Sequence, residues 1–78
     1  MRKHWVTFSE AATAFGDPLS LTVPDPEHAV GEARFALLGL SYRGRLLVVV
    51  HVERGATIRL ISARLVTRAE RKTYEQAE

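Results

Sequence analysis

Arg59, Ser62, Arg64, Glu70 and Tyr74 lie in one C-terminal stretch of the chain, with His51 a little upstream. Guanidinium groups can neutralise charge that builds on a phosphate, while a carboxylate, a phenol or an imidazole can take or give a proton. Cleavage of RNA needs both functions. The 2′-hydroxyl must be deprotonated, the phosphorane charge stabilised and the leaving 5′-oxygen protonated. His51 is the only histidine in a strand-like run, and an ordinary imidazole titrates near neutrality. A lone histidine among aliphatic residues also reads as a satisfied core residue. Tyr74 follows Glu70 by one helical turn, so the two share a face; packing of the tyrosine on a sheet is the alternative role. Ser62 has no nucleophile motif around it. No cysteine is present, and His4 and His28 lack partners at metal-ligand spacing, so neither a metal nor a cofactor is expected. Gly39 and Gly44 do not form a phosphate-binding glycine loop.

The charge pattern sharpens this chemistry. The net charge is only +2, but no Lys or Arg occurs between His4 and Ala33, where Glu10, Asp17, Asp25, Glu27 and Glu32 stand. From Arg34 to Lys72 there are nine basic residues, opposed only by Glu53 and Glu70. That asymmetry fits a polyanionic partner, and also fits solvated strand ends with a salt-bridged helix. Eight of the nine are Arg, whose planar fork suits bidentate phosphate contact.

The elements that must position these groups fit one domain over residues 1–78, since a chain this short supports a single core. Thr7-Phe8-Ser9-Glu10 predicts a capping box, with a helix burying Phe8, Ala11, Ala12 and Phe15 and ending at Gly16. Leu19–Val23 predicts a short edge strand stopped by Pro24, and Asp25–Ala33 an acidic surface loop. Arg34–Tyr42, Arg45–Glu53 and Ala56–Arg64 predict three strands joined at Arg43-Gly44 and Arg54-Gly55. Thr67-Arg68-Ala69-Glu70 predicts a second capping box and a final helix. The fold class is therefore α+β: a four-stranded antiparallel meander with a helix near each end, both packed on one sheet face. No apolar run is long enough to span a bilayer and no signal peptide follows Arg2-Lys3-His4, so a soluble, cytoplasmic chain is expected.

Register decides which residues meet. With two-residue turns at both hairpins, Leu40 faces Leu47 and His51 faces Ile58. Tyr42, Arg45, Ser62 and Arg64 then gather at one end of one face. A three-residue loop at Glu53-Arg54-Gly55 with a bulge instead moves Arg59 to the His51 side. Positions 59 and 64 differ in parity, so the two arginines share a face only if the strand carries a bulge.

Several segments resemble the BrnT family of toxins. Lys3-His4-Trp5-Val6-Thr7-Phe8-Ser9-Glu10-Ala11 is similar to the family's "KHGVSFEEA" opening, and Phe15-Gly16-Asp17-Pro18 to its "FxDP" segment. Arg34-Phe35 with Gly39, then Arg45 to His51, look like its central strands. Ile58 to Arg64, followed by Thr67, Arg68, Glu70, Arg71 and Tyr74, closely resembles its "IRIISAR…T..ER..YE" ending. The resemblance implies a RelE/ParE-like fold and a metal-independent endoribonuclease that inhibits translation. It further implies neutralisation by a BrnA-type antitoxin, in a complex (a heterotetramer in this family) that represses its own promoter. His4, Arg59, Ser62, Arg64, Glu70 and Tyr74 match the family's polar motif. On that basis Arg59 and Arg64 are expected to stabilise phosphate charge. Glu70, Tyr74 or His51 would transfer protons, and Arg45, Arg68, Arg71 and Lys72 would hold the RNA backbone.

Two departures accompany the match. The family's usual opening strand and helix, of the type "FEWDxxKAxxN", are not found before Lys3, so either a start codon farther upstream or a shortened copy is expected. Trp5 stands where the family has Gly. A homologue that binds antitoxin without cleaving RNA is thus the second reading. A basic nucleic-acid-binding module is the third, although Phe35 and Tyr42 make no interleaved stacking platform.

Overall fold

The computed structural model describes residues 5–25 and 33–77. The elements are α1 (Phe8–Thr13, continued by a 3₁₀ turn over Ala14–Gly16), β1 (Leu21–Pro24), β2 (Ala33–Leu40), β3 (Leu46–Arg54), β4 (Thr57–Leu65) and α2 (Arg68–Gln76). The strands form one antiparallel sheet in the order β1-β2-β3-β4, as the strand-like runs predict. His4, His28 and most of the acidic loop lie outside the described residues.

Thr7 caps α1, its hydroxyl accepting from the Glu10 amide at 3.1 Å. The reciprocal half of the predicted capping box is not made, because the Glu10 carboxylate is buried and turned toward Arg45 and Ser41. Phe8 and Ala12 are also exposed rather than buried. The helix has only two turns before tightening into 3₁₀ geometry, whose three-residue period brings Ala11 and Ala14 onto the sheet together. This small-residue strip permits close approach. A Cβ on Gly39 would meet the Ala14 carbonyl oxygen at 2.8 Å, so β2 needs a glycine where the 3₁₀ turn crosses it.

The first hairpin turn differs from the two-residue reading in length, and the second keeps two residues but shifts by one. The β2–β3 loop is the three-residue Tyr42–Gly44, closed by Ser41 N–H to Arg45 O and Gly44 N–H to Ser41 O, each at 2.9 Å. Gly44 has φ +75°, the left-handed conformation that such a loop requires. Leu40 therefore faces Leu46, and Gly39 faces Leu47. At the next hairpin the turn residues are Gly55-Ala56, between the paired Arg54 and Thr57, with Gly55 at φ +57°. His51 consequently faces Leu60, not Ile58.

Farther along β3–β4 the register shifts between Val50 and His51, so that Val50 faces Ser62 and Ile61 is the extra residue of a bulge. Each face of the sheet then has its own composition. One carries Leu37, Leu47 and Val49, which pack with Ala11 and Ala14 and, more peripherally, Phe15, Leu60 and Ala63. Leu47 and Val49 are wholly buried, each contributing roughly 1.5–3 kcal/mol of hydrophobic stabilisation. The other face carries Leu38, Val48 and Val50, with Arg64 opposite Val48. It is partly covered by α2, whose Glu70 and Thr73 line a groove with those residues. The helices thus pack on opposite faces, not on one. β2 and β3 offer a second apolar set at the alternate parity (Ala36 and Leu38; Val48, Val50 and Val52), so both faces need cover.

Candidate active site

The Ile61 bulge puts Arg59 and Arg64 on the same face. Arg59 stands opposite Val52 and Arg64 opposite Val48, with Ser62 between them opposite Val50. The four-residue offset on β3 separates the two arginine backbones by about 13 Å. Arg59 and Ser62 are exposed, and Arg59 makes no ion pair among the described residues.

Arg64 is held differently. Its two terminal nitrogens donate to the two Glu70 carboxylate oxygens, each at 2.8 Å, and Nη1 also donates to the Leu65 carbonyl at 3.1 Å. Glu70 completes the predicted second capping box. Its Oε1 accepts from the Thr67 amide at 2.8 Å while the Thr67 hydroxyl accepts from the Glu70 amide at 3.2 Å. The Arg64 guanidinium holds the Glu70 carboxyl down at about 2 against the opposing effect of burial, with help from Thr67. In this pairing Glu70 is an ionised clamp and a weak base.

Tyr74 sits on the same face of α2 as Glu70, one turn later, and its hydroxyl donates to Asp17 Oδ2 at 2.5 Å. That carboxylate, followed by burial, pushes the phenol up to about 12. Burial also pushes Asp17 upward. Hydrogen bonds from Tyr74, the Leu40 amide and the Leu19 amide outweigh it and leave Asp17 below the usual aspartate value. The cations Arg68, Arg71 and Lys72 are on the exposed side of α2, Arg71 lying 3.9 Å from Glu75.

The remaining two site candidates lie on the other face. His51 is fully buried, with its ring 5.0 Å from Phe15 edge-on and 5.8 Å from Phe35 in a stacked arrangement. Its Nδ1 is 3.3 Å from the Val49 carbonyl and its Nε2 is 3.3 Å from Glu53. Arg45 is directed beneath α1. Its Nε donates to Glu10 Oε2 at 2.9 Å, and its Nη2 donates to Glu10 Oε1 and to the Trp5 carbonyl. Hydrogen bonding from Arg45, opposed by burial and assisted by Ser41, holds Glu10 at about 2. The gathering of Tyr42, Arg45, Ser62 and Arg64 expected from two-residue turns does not occur. The three-residue loop pairs Arg45 with Ser41 and leaves Tyr42 exposed at its tip, while the Ile61 bulge turns Ser62 and Arg64 to the face opposite Arg45.

Glu10, Ser41 and Asp17 carry polar networks to which sequence reasoning gave no site role. An aspartate directly before Pro18 is a turn signal that could have flagged Asp17. Its tyrosine partner, 57 positions away, leaves no local trace. Among the described residues no group of three or more His, Cys, Asp or Glu side chains is placed to hold a metal ion. No helix among them is long and apolar enough to cross a membrane.

Among curated proteins, none matches the chain. The family description "Ribonuclease toxin, BrnT, of type II toxin-antitoxin system" matches residues 1–70. With nearly the whole chain matched, and with the C-terminal arginine, glutamate and tyrosine set within or just beyond that span, the chain belongs to the BrnT ribonuclease toxins of type II toxin–antitoxin systems.

Proposed function

We propose that the chain is a metal-independent endoribonuclease of RelE-like design, acting through the face that carries Arg59, Ser62 and Arg64. The observation that supports this reading is the Ile61 bulge, which puts both arginines on one side of the sheet. Arg59 and Arg64 would engage the scissile phosphate and its neighbour, while Arg68, Arg71 and Lys72 on α2 hold the RNA backbone. Attack of the 2′-hydroxyl on phosphorus breaks the bond to the 5′-oxygen, giving a cyclic phosphate and a free 5′-hydroxyl. One proton leaves the 2′-oxygen and one reaches the 5′-oxygen. The two arginines carry the phosphorane charge, which is why no metal is required in this scheme.

Capture of a phosphate by Arg64 competes with its bond to Glu70. A Glu70 released from the guanidinium returns toward ordinary carboxylate basicity and becomes the better candidate to receive the 2′-proton. Tyr74, with its hydroxyl near 12, is suited to give a proton rather than take one. His51 would act only if its buried face opened, and Arg45 supports the fold beneath α1 rather than the RNA. In the cell the chain would slow translation in the cytoplasm and be neutralised by a BrnA-type antitoxin in a heterotetramer.

The test is cleavage of a labelled single-stranded RNA by the purified chain in excess chelator. Arg59→Ala and Arg64→Ala are each expected to lose on the order of 100-fold in rate, the scale of one transition-state charge donor. Full activity in both variants would remove this face from the chemistry. The closed Arg64–Glu70 pair favours a second reading, a homologue that binds antitoxin without cleaving. Soluble, folded wild-type protein that leaves RNA intact would establish that reading instead.

A further inference from the structure

The sheet face that carries the arginines also carries an apolar groove that RNA chemistry does not use. Two cross-strand rows make its floor: Val23, Ala36 and Val50 in one, Leu21, Leu38 and Val48 in the next. Glu70 and Thr73 of α2 form one wall, Pro24 and Asp25 the other, and the space is ≈ 420 Å³. Val23 is 47% exposed on the edge strand, although its side chain belongs to this aliphatic floor.

The residues themselves select an occupant. No aromatic ring lies in the floor or walls, so a nucleobase has nothing to stack on, and an aliphatic floor gives a phosphate no partner. Leucine, valine and alanine suit aliphatic side chains of a protein segment. In the row beyond Val50, Arg34 and Arg59 flank Val52. Arg34 is paired with Asp25 at 3.5 Å, whereas Arg59 has no ionic partner among the described residues. An acidic side chain on the occupant would satisfy Arg59. A second copy of this chain fits less well, because its net positive charge would meet the same cations.

We propose that the antitoxin of the pair seats an aliphatic segment in this groove, with an acidic residue against Arg59, and neutralises the toxin by covering the arginine face. This rests on the ribonuclease reading for its consequence, but not for the contact itself. The groove abuts Arg64 directly, so a segment lying in it excludes an RNA backbone from Arg59, Ser62 and Arg64. Neutralisation is then steric and needs no change in the toxin's fold.

The experiment titrates the full chain with the antitoxin encoded beside it, by calorimetry, and measures RNA cleavage by the same preparations. Val23→Asp puts a charge in the floor at an exposed edge position, and Thr73→Trp fills the groove from α2. Each is expected to weaken antitoxin binding by at least about tenfold. Val23→Asp should cleave RNA at the wild-type rate and escape neutralisation. Unchanged affinity in the folded variants overturns the proposal, as does a wild-type chain that does not bind the antitoxin at all. Hydrogen exchange on the wild-type complex decides the matter without any variant. Protection gained at the β1 and α2 amides supports the groove, and protection confined to other elements overturns it. If the wild-type chain binds with this pattern but cleaves no RNA, the enzyme reading fails while the docking surface stands.

Discussion

Two Arg–Glu pairs stand on opposite faces of one sheet, and their surroundings give them opposite uses. Arg45 and Glu10 meet beneath α1, where Glu10 is 3% exposed and Ser41 donates to it at 2.7 Å. Arg64 and Glu70 meet at the margin of the open face, with 54% of the Arg64 side chain accessible. Both carboxyls are held at about 2 by hydrogen bonding from their arginines. The bonds are alike, but the cost of breaking them is not. A buried carboxylate without its partner has no water to replace the lost bonds. A pair at the surface is only weakly stabilising and can exchange one partner for another anion at little cost. The inner pair therefore belongs to the fold, and the outer pair is available to a phosphate.

Substitutions separate these uses. The largest stability effect is expected from Glu10→Ala, which leaves Ser41 and Arg45 without their shared acceptor and should cost about 3 kcal/mol in urea unfolding. Its RNA cleavage, measured where the variant is fully folded, should stay close to wild type. Glu70→Ala reverses the pattern. The expected loss is about 1 kcal/mol of stability, from the exposed pair and the helix cap, with a larger change in cleavage rate or RNA affinity. Equal destabilisation by the two variants would break the comparison.

Acid should reveal the same ranking. Both carboxyls have folded values depressed from 4.5 to about 2. Their stabilisation is thus complete above about pH 4.5 and is lost as pH falls through about 2. Glu10 should supply roughly 2–3 kcal/mol of that loss, and Glu70 less because solvent screens it. Unfolding free energies of wild type and Glu10→Gln, measured from pH 7 down to pH 2, test this. A variant with as steep an acid loss as wild type would refute the ranking.

A third effect, on stability alone, is expected at the tether between α2 and the turn before β1. Tyr74→Phe removes the hydroxyl that donates to Asp17 and should cost about 1–2 kcal/mol. At high pH the sign differs from that of the acids. A phenol raised from 10 to about 12 contributes stability that is present below pH 10 and lost as pH rises through 12. A tyrosine absorbance titration with a phenol ionising near 12 that is absent in Tyr74→Phe would show it.

Much of the fold was legible because it is local. Thr7 and Thr67 cap their helices as the residue types require, and the apolar runs become strands with ends displaced by only a residue or two. The site was less legible because it depends on parity. Arg43-Gly44 reads as a two-residue turn, yet the loop takes Tyr42 as well and sets Arg45 opposite Ser41, while the bulge in β4 turns Arg64 away from the Arg45 face. The bulge at Ile61 has no mark of its own in the sequence. Only the parity mismatch of Arg59 and Arg64 pointed to it, as one of two possibilities.

Residue types and short spacings, then, determined the element order, the edge position of the Pro24 strand, the helix caps and the concentration of arginine in the second half. They did so because capping, turn formation and strand alternation are governed by neighbours a few positions apart. Tertiary structure decided which arginines became structural and which lie open, which face received each helix, and that Asp17 would receive Tyr74. Those outcomes follow from register and from packing across the sheet. Burial then made the Glu10 pair part of the fold, and exposure left the Arg64 pair able to exchange.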